Sequence, residues 1–201
     1  MAETAGPAGE PAARPERLVV GITGASGVQY GTAAVRLLAE TDVETHVVVT
    51  SAGKRVMETE TGDDMERIRG WADAVHGNAD IGAPVASGSF AFDGMLVCPC
   101  SMKTLGYVAN GIAEGLVART AEVALKEGRR LVLVPREAPM ASTHLANLRR
   151  ADEAGAVIAP ASPGFYTEPE SIEELVDRFA AKLLDGFGVE VDAMARWSGD
   201  R

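Results

Sequence analysis

Cationic side chains are in deficit in this sequence: Lys and Arg total 19 against 29 Asp and Glu, a net charge of −10. A surface of that sign repels a polyanionic backbone and argues against nucleic acid as a partner. Long apolar runs are missing as well. No stretch approaches the roughly 20 residues that cross a bilayer, and the first residues lack the basic start and apolar centre of a secretory signal. The expectation is a cytoplasmic protein with no membrane partner. Cysteine is almost absent: Cys98 and Cys100 stand one residue apart, too close for an ordinary bridge in extended chain and spaced unlike a redox or zinc pair. They read as reduced thiols packed in a core. His46, His76 and His144 fall in a strand, an irregular stretch and a helix, without ligand spacing, so no metal is expected. Aromatics make up only 5% of the 201 residues, yet 46% are apolar, enough for one compact domain with a sizeable core.

Residues 1–16 are dominated by Ala, Pro, Gly and Glu and have no apolar face to bury, which predicts a disordered tail. From Arg17 to the end of the chain, β-branched runs alternate with amphipathic segments. RLVVGIT, THVVVT, GMLVCPC, LVLVPRE and AVIAP read as strands. The helices fall over the stretch up to Leu38, near Lys54 to Glu60, near Asp64 to Ala74, and over VARTAEVALKEG, STHLANLRRADEAG and SIEELVDRFAAKLLDGFG. Several strands are apolar throughout, as strands buried on both faces are. The pattern predicts a single three-layer, doubly wound α/β domain over residues 17–201, built on a parallel sheet.

Ligands in such sheets bind beyond the carboxyl ends of the strands. Gly24-Ala25-Ser26-Gly27 leaves the first strand and opens a helix, so backbone amides there can approach an anion. The flanking glycines do not form a dinucleotide fingerprint, and Thr50 rather than an acid ends the second strand, which favours a mononucleotide. By itself the loop serves equally as a tight turn with no ligand. Cys98 to Thr104 ends a buried strand in hydroxyls, a cation and free amides, suited to a phosphate or a flavin edge or simply to an N-cap Ser beside a solvated Lys. Pro135 to Pro139 sets Arg136 beside Glu137, a site pair or a surface ion pair. Pro160 to Tyr166 is a rigid apolar loop ending in a phenol.

These loops, with Ala86-Ser87-Gly88-Ser89 and the helical segment from Arg119 to Glu127, resemble the flavin prenyltransferase family, the UbiX-type proteins once described as aromatic-acid decarboxylases. The likeness runs from about Arg17 to Trp197. It implies a flavodoxin-like, Rossmann-like fold, a homododecamer, and transfer of a dimethylallyl group from dimethylallyl phosphate to N5 and C6 of reduced FMN. The prenylated FMN would serve a partner UbiD-type decarboxylase. Carried over by position, the FMN site comprises Gly24, Ala25, Ser26, Thr50, Ser101, Met102, Lys103, Thr104 and Arg136. The prenyl phosphate site comprises Ser87, Gly88, Ser89, Arg119, Lys126, Tyr166, Lys182 and Trp197, the last from a neighbouring subunit. Lys182 stands where some relatives carry Arg, which keeps the charge but not a bidentate grip. The catalytic set is Glu60, Lys126, Glu137, Arg119 and Ser26, with no metal. An FMN-dependent decarboxylase of a cysteine adduct, or a non-catalytic FMN-binding subunit, are the alternatives; the former's His and Asn-Met clamp lack their flanking pattern here, around His144 and Asn147.

Overall fold

A computed structural model describes residues 15–166 and 168–193. Six parallel strands form one sheet in the order β3-β2-β1-β4-β5-β6. They are β1 (Arg17–Ile22), β2 (Glu44–Val49), β3 (Ala74–Gly77), β4 (Gly94–Cys100), β5 (Arg130–Pro135) and β6 (Val157–Ile158). One face carries α1 (Val28–Leu38), α2 (Ser51–Glu60), α3 (Met65–Trp71) and α7 (Ile172–Asp185), which pack on Val20, Ile22, Val47, Val49 and Leu96. The other carries α4 (Met102–Ala109), α5 (Gly115–Lys126) and α6 (Ser142–Glu153) over Val19, Val48, Met95, Val97 and Leu133. All seven residues of β4 are buried, the signature of a central strand covered on both faces. The three-layer, doubly wound expectation therefore holds, and the strand order reverses between β1 and β4, where such folds open a crevice.

Two elements differ from the sequence reading. The helix expected to reach Ala74 stops at Trp71, because Asp73 N–H donates to the Thr45 carbonyl (3.0 Å) and its carboxylate accepts from Thr45 N–H (2.8 Å), drawing the chain into edge strand β3. Residues 101–104, read as loop, open α4, with Ser101 Oγ accepting from Thr104 N–H. At the amino end, Pro15 is buried and Glu16 N–H donates to Asp93 (2.8 Å), so these two residues of the expected tail are held; residues 1–14 lie outside the described residues.

Beside Phe90, β2 and β3 bring His46 Nδ1 to within 3.1 Å of His76 Nε2, while His46 Nε2 meets Glu44 at 2.8 Å. Glu44 is held down to about 2, first by its hydrogen bond from Arg17 and then by His46, so it accepts from His46 Nε2–H. That leaves His46 Nδ1 to accept from His76 Nε2–H in the neutral pair. Burial, then the His46 charge, pulls His76 below the usual histidine range, against Asp80. Protons therefore bind His76 better in the unfolded chain than in the native one, and stability falls as pH drops from about 6.5 toward the depressed native value. The expected result is a thermal midpoint that declines over that window, with a shallower slope in His76→Gln, read by calorimetry from pH 8 to 5.5.

Candidate active site

Thr23, fully buried just after β1, locks the switch point together. Its hydroxyl donates to the Pro99 carbonyl (2.7 Å) and accepts from Ser101 N–H (2.8 Å), so the loop after β1 is fixed against the loop after β4. Its only sequence signal is a hydroxyl between an apolar strand and Gly24, too common to single out. Next to this lock, three helix amino termini converge. Thr50 caps α2 through Gly53 N–H (3.0 Å), and Ser101 caps α4. Asn78 receives Leu116 N–H (2.8 Å) and Val117 N–H (3.0 Å) at the start of α5. They border a cavity of about 380 Å³, within the usual range for a ligand site, lined by Gly24, Thr50, Asn78, Ser101, Lys103 and Thr104 among others. Partial positive charge at the helix ends, the capping hydroxyls and the Lys103 cation suit the phosphate of a mononucleotide. Arg55, Asn78 and Tyr107 also line it and were not foreseen.

The Gly24–Gly27 loop is braced from both sides. Arg136 Nε donates to the Ser26 carbonyl (2.9 Å), and Glu60 accepts from Gly27 N–H (2.8 Å) at the amino end of α1, where a carboxylate is favoured. Ala25 is buried and Ser26 is exposed. Glu137 is turned to its own backbone, accepting from Ala138 N–H (3.0 Å). Met102 lies in the first turn of α4. The flavin set of the sequence reading thus gathers, with Glu60 and Glu137, at the carboxyl edge of the sheet. Tyr166 lies in the loop beyond β6, 63% exposed.

A second group assembles elsewhere. Ser87 and Ser89 share a hydroxyl contact of 2.8 Å. Lys126 and Glu127 form an ion pair directly over Gly88, with Lys126 Nζ 2.7 Å from where a Cβ on that residue would stand. The Lys126 hydrogen bond and charge hold the Glu127 carboxyl below its ordinary value. Arg119 donates to the Ala86 carbonyl (3.1 Å) and pairs with Glu122 (2.7 Å). Gly115 opens α5 at this cavity and Lys126 closes it eleven residues on, about 17 Å away at 1.5 Å per residue. Lys126 and the Ser87–Ser89 loop therefore lie toward the opposite edge of the sheet, and Arg119 lies between. Lys182, bonded to Asp185 (3.1 Å), also sits near that amino edge, since Phe187 and Gly186 abut the starts of β4 and β5. Within one chain the structure does not join these cations to the Gly24–Gly27 loop. Trp197 lies outside the described residues.

Cys98 and Cys100 are free and fully buried, as the sequence reading expects, and burial pushes both thiols up, Cys100 to about 12. They are inert at neutral pH. Among the described residues, no group of three or more His, Cys, Asp or Glu is placed to hold a metal ion, and no helix is long and apolar enough to cross a membrane.

The Flavoprotein family model matches residues 10–184. The chain is 48% identical over 186 residues to Flavin prenyltransferase UbiX of Deinococcus radiodurans, covering 92% of this chain and 95% of that one. Two solved structures are similar throughout. AnUbiX in complex with FMN and dimethylallyl pyrophosphate superposes with a TM-score of 0.90 at 44% identity, over 94% of this chain and all of that one. A dodecameric FMN-dependent UbiX-like decarboxylase from Escherichia coli O157:H7 gives 0.88 at 44% identity, over 91% of this chain and all of that one.

Proposed function

This chain belongs to the flavoprotein family and, within it, to the flavin prenyltransferases, and from that premise we propose that it joins the dimethylallyl group of dimethylallyl phosphate to reduced FMN, releasing phosphate. The observation that carries the reading is the cavity where the amino ends of α2, α4 and α5 meet Thr50, Ser101 and Lys103. Those groups fit an FMN phosphate, and the reduced flavin supplies a nucleophilic N5 and C6 when bound. Arg119, Lys126, Lys182 and the Tyr166 hydroxyl neutralise the departing phosphate. Glu60 and Glu137 handle protons at the flavin edge, Ser26 lies beside it, and Trp197 shelters the allylic carbon.

Because Lys126 and the flavin loop occupy opposite edges of one sheet, the working site combines neighbouring subunits, which fits a dodecamer like that of the Escherichia coli relative. The reaction needs no metal. Prenylated FMN passes to a UbiD-type decarboxylase, and the setting is cytoplasmic. Anaerobic incubation with reduced FMN and dimethylallyl phosphate, followed by mass spectrometry of the extracted flavin, tests the reading. A flavin heavier by one isoprenyl unit is expected. Unmodified FMN from folded, flavin-loaded protein would overturn it in favour of an FMN-dependent decarboxylase of a cysteine adduct or a non-catalytic FMN-binding subunit, which a substrate screen then separates.

A further inference from the structure

We propose that Arg129 is a positioning residue for prenyl transfer, holding the Ser87–Ser89 loop at a fixed distance from Lys126. The inference rests on the prenyltransferase reading. Its basis begins at the end of α5. Gly128 takes a left-handed backbone (φ +67°), Gly128 N–H donates to the Leu125 carbonyl (3.1 Å) and Arg129 N–H to the Ala124 carbonyl (2.8 Å). These crossed bonds end the helix in a fixed direction and aim Arg129 back along it. The guanidinium then donates through Nη1 to the Phe90 carbonyl (2.9 Å) and through Nη2 to the Gly88 carbonyl (2.7 Å), with its Cζ 4.2 Å from the Phe92 ring centre.

The segment it grips has no regular secondary structure to hold its shape. Residues 87–93 contain no helix or strand, and the local backbone bond Phe90 N–H to Ser87 carbonyl (3.2 Å) closes a single turn there. Two further arginines take the adjoining carbonyls: Arg119 at Ala86 (3.1 Å) and Arg17 at Ala91 (2.5 Å). Among the described residues, Arg129 alone reaches the carbonyl of Gly88, the residue over which the Lys126–Glu127 pair hangs. With two donors committed to carbonyls and its face committed to Phe92, this side chain acts through the loop rather than on phosphate. Spanning two carbonyls two residues apart requires a planar fork, which an ammonium does not offer.

The test is anaerobic turnover of the full-length protein at varied dimethylallyl phosphate, with hydrogen exchange of the peptides covering residues 86–91. Arg129→Lys and Arg129→Gln should each raise KM for dimethylallyl phosphate about tenfold, with FMN affinity unchanged and faster exchange confined to that loop. Phe92→Leu, which loosens the guanidinium but keeps its bonds, should give a smaller rise and serves if the Arg129 variants do not fold. Wild-type KM and exchange in folded variants, or full rescue by Lys, would overturn the proposal. Unmodified flavin from the wild-type protein would instead sink the prenyltransferase reading, so the two failures are distinct.

Discussion

Replacing Lys126 with alanine should lower the rate of prenylated FMN formation by about 10²–10³-fold, roughly 3–4 kcal/mol of transition-state stabilisation, while FMN stays bound. The size follows from the task proposed for it, which is to meet charge that appears only as the phosphate departs. The sparing of FMN follows from geometry: Thr50, Ser101 and Lys103 line a cavity at the far end of α5, about 17 Å from Lys126 by helix rise. Single-turnover kinetics with a parallel flavin titration reads both quantities. Mixed oligomers sharpen the test. Subunits carrying Lys126→Ala and subunits carrying Glu60→Gln should be nearly inactive separately. Dissociated and reassembled together, they should regain activity in about one quarter of the sites, the random-mixing value for a site shared by two subunits. No recovery in reassembled oligomers would mean that one chain supplies both residues.

The largest expected loss of stability comes from Gly31→Ala. Gly31 lies where α1 crosses β4, and a Cβ there would overlap the Cys98 carbonyl oxygen, with the carbonyl carbon at 3.0 Å and Ile22 Cγ1 at 3.3 Å. The obstacle is the backbone of a strand buried along its whole length, which cannot swing away as a side-chain tip can. The helix must lift instead, and overpacking of this kind costs about 1–3 kcal/mol, or about 3–10 °C in a domain of this size. Since Gly27 caps α1 and its amide is held by Glu60, lifting the helix also loosens the Gly24–Gly27 loop, and on the proposed reading FMN affinity should fall with the midpoint. Gly106→Ala is the control. Its nearest neighbour would be Asn147 Nδ2 at 3.7 Å, so alanine inside α4 should be neutral or slightly stabilising. Thermal unfolding of both variants without flavin, then FMN titration, checks the contrast.

Much of this architecture is legible in the sequence. Arg17–Ile22, Gly94–Cys100 and Arg130–Pro135 are nearly continuous apolar runs, and only a sheet covered on both faces accommodates such runs. The Gly24–Gly27 and Ser101–Thr104 loops could be found because turn and capping chemistry is local, set by residues within one helical turn. Less local features were out of reach. Strand β3 exists because Asp73 pairs with Thr45 across the sheet edge, and four half-exposed residues show no period of their own. Thr23 gains its role from Pro99 and Ser101, more than seventy residues away in the chain. Arg129 looks like an ordinary turn residue until the end of α5 turns it onto two carbonyls some forty positions earlier. Periodicity and capping are written in neighbouring residues, so order along the chain fixes the strands, the helices and the chemistry at each strand end. Which of those ends share a cavity, and which cations α5 carries away to the other edge of the sheet, depends on contacts between distant segments, and only packing in three dimensions creates those.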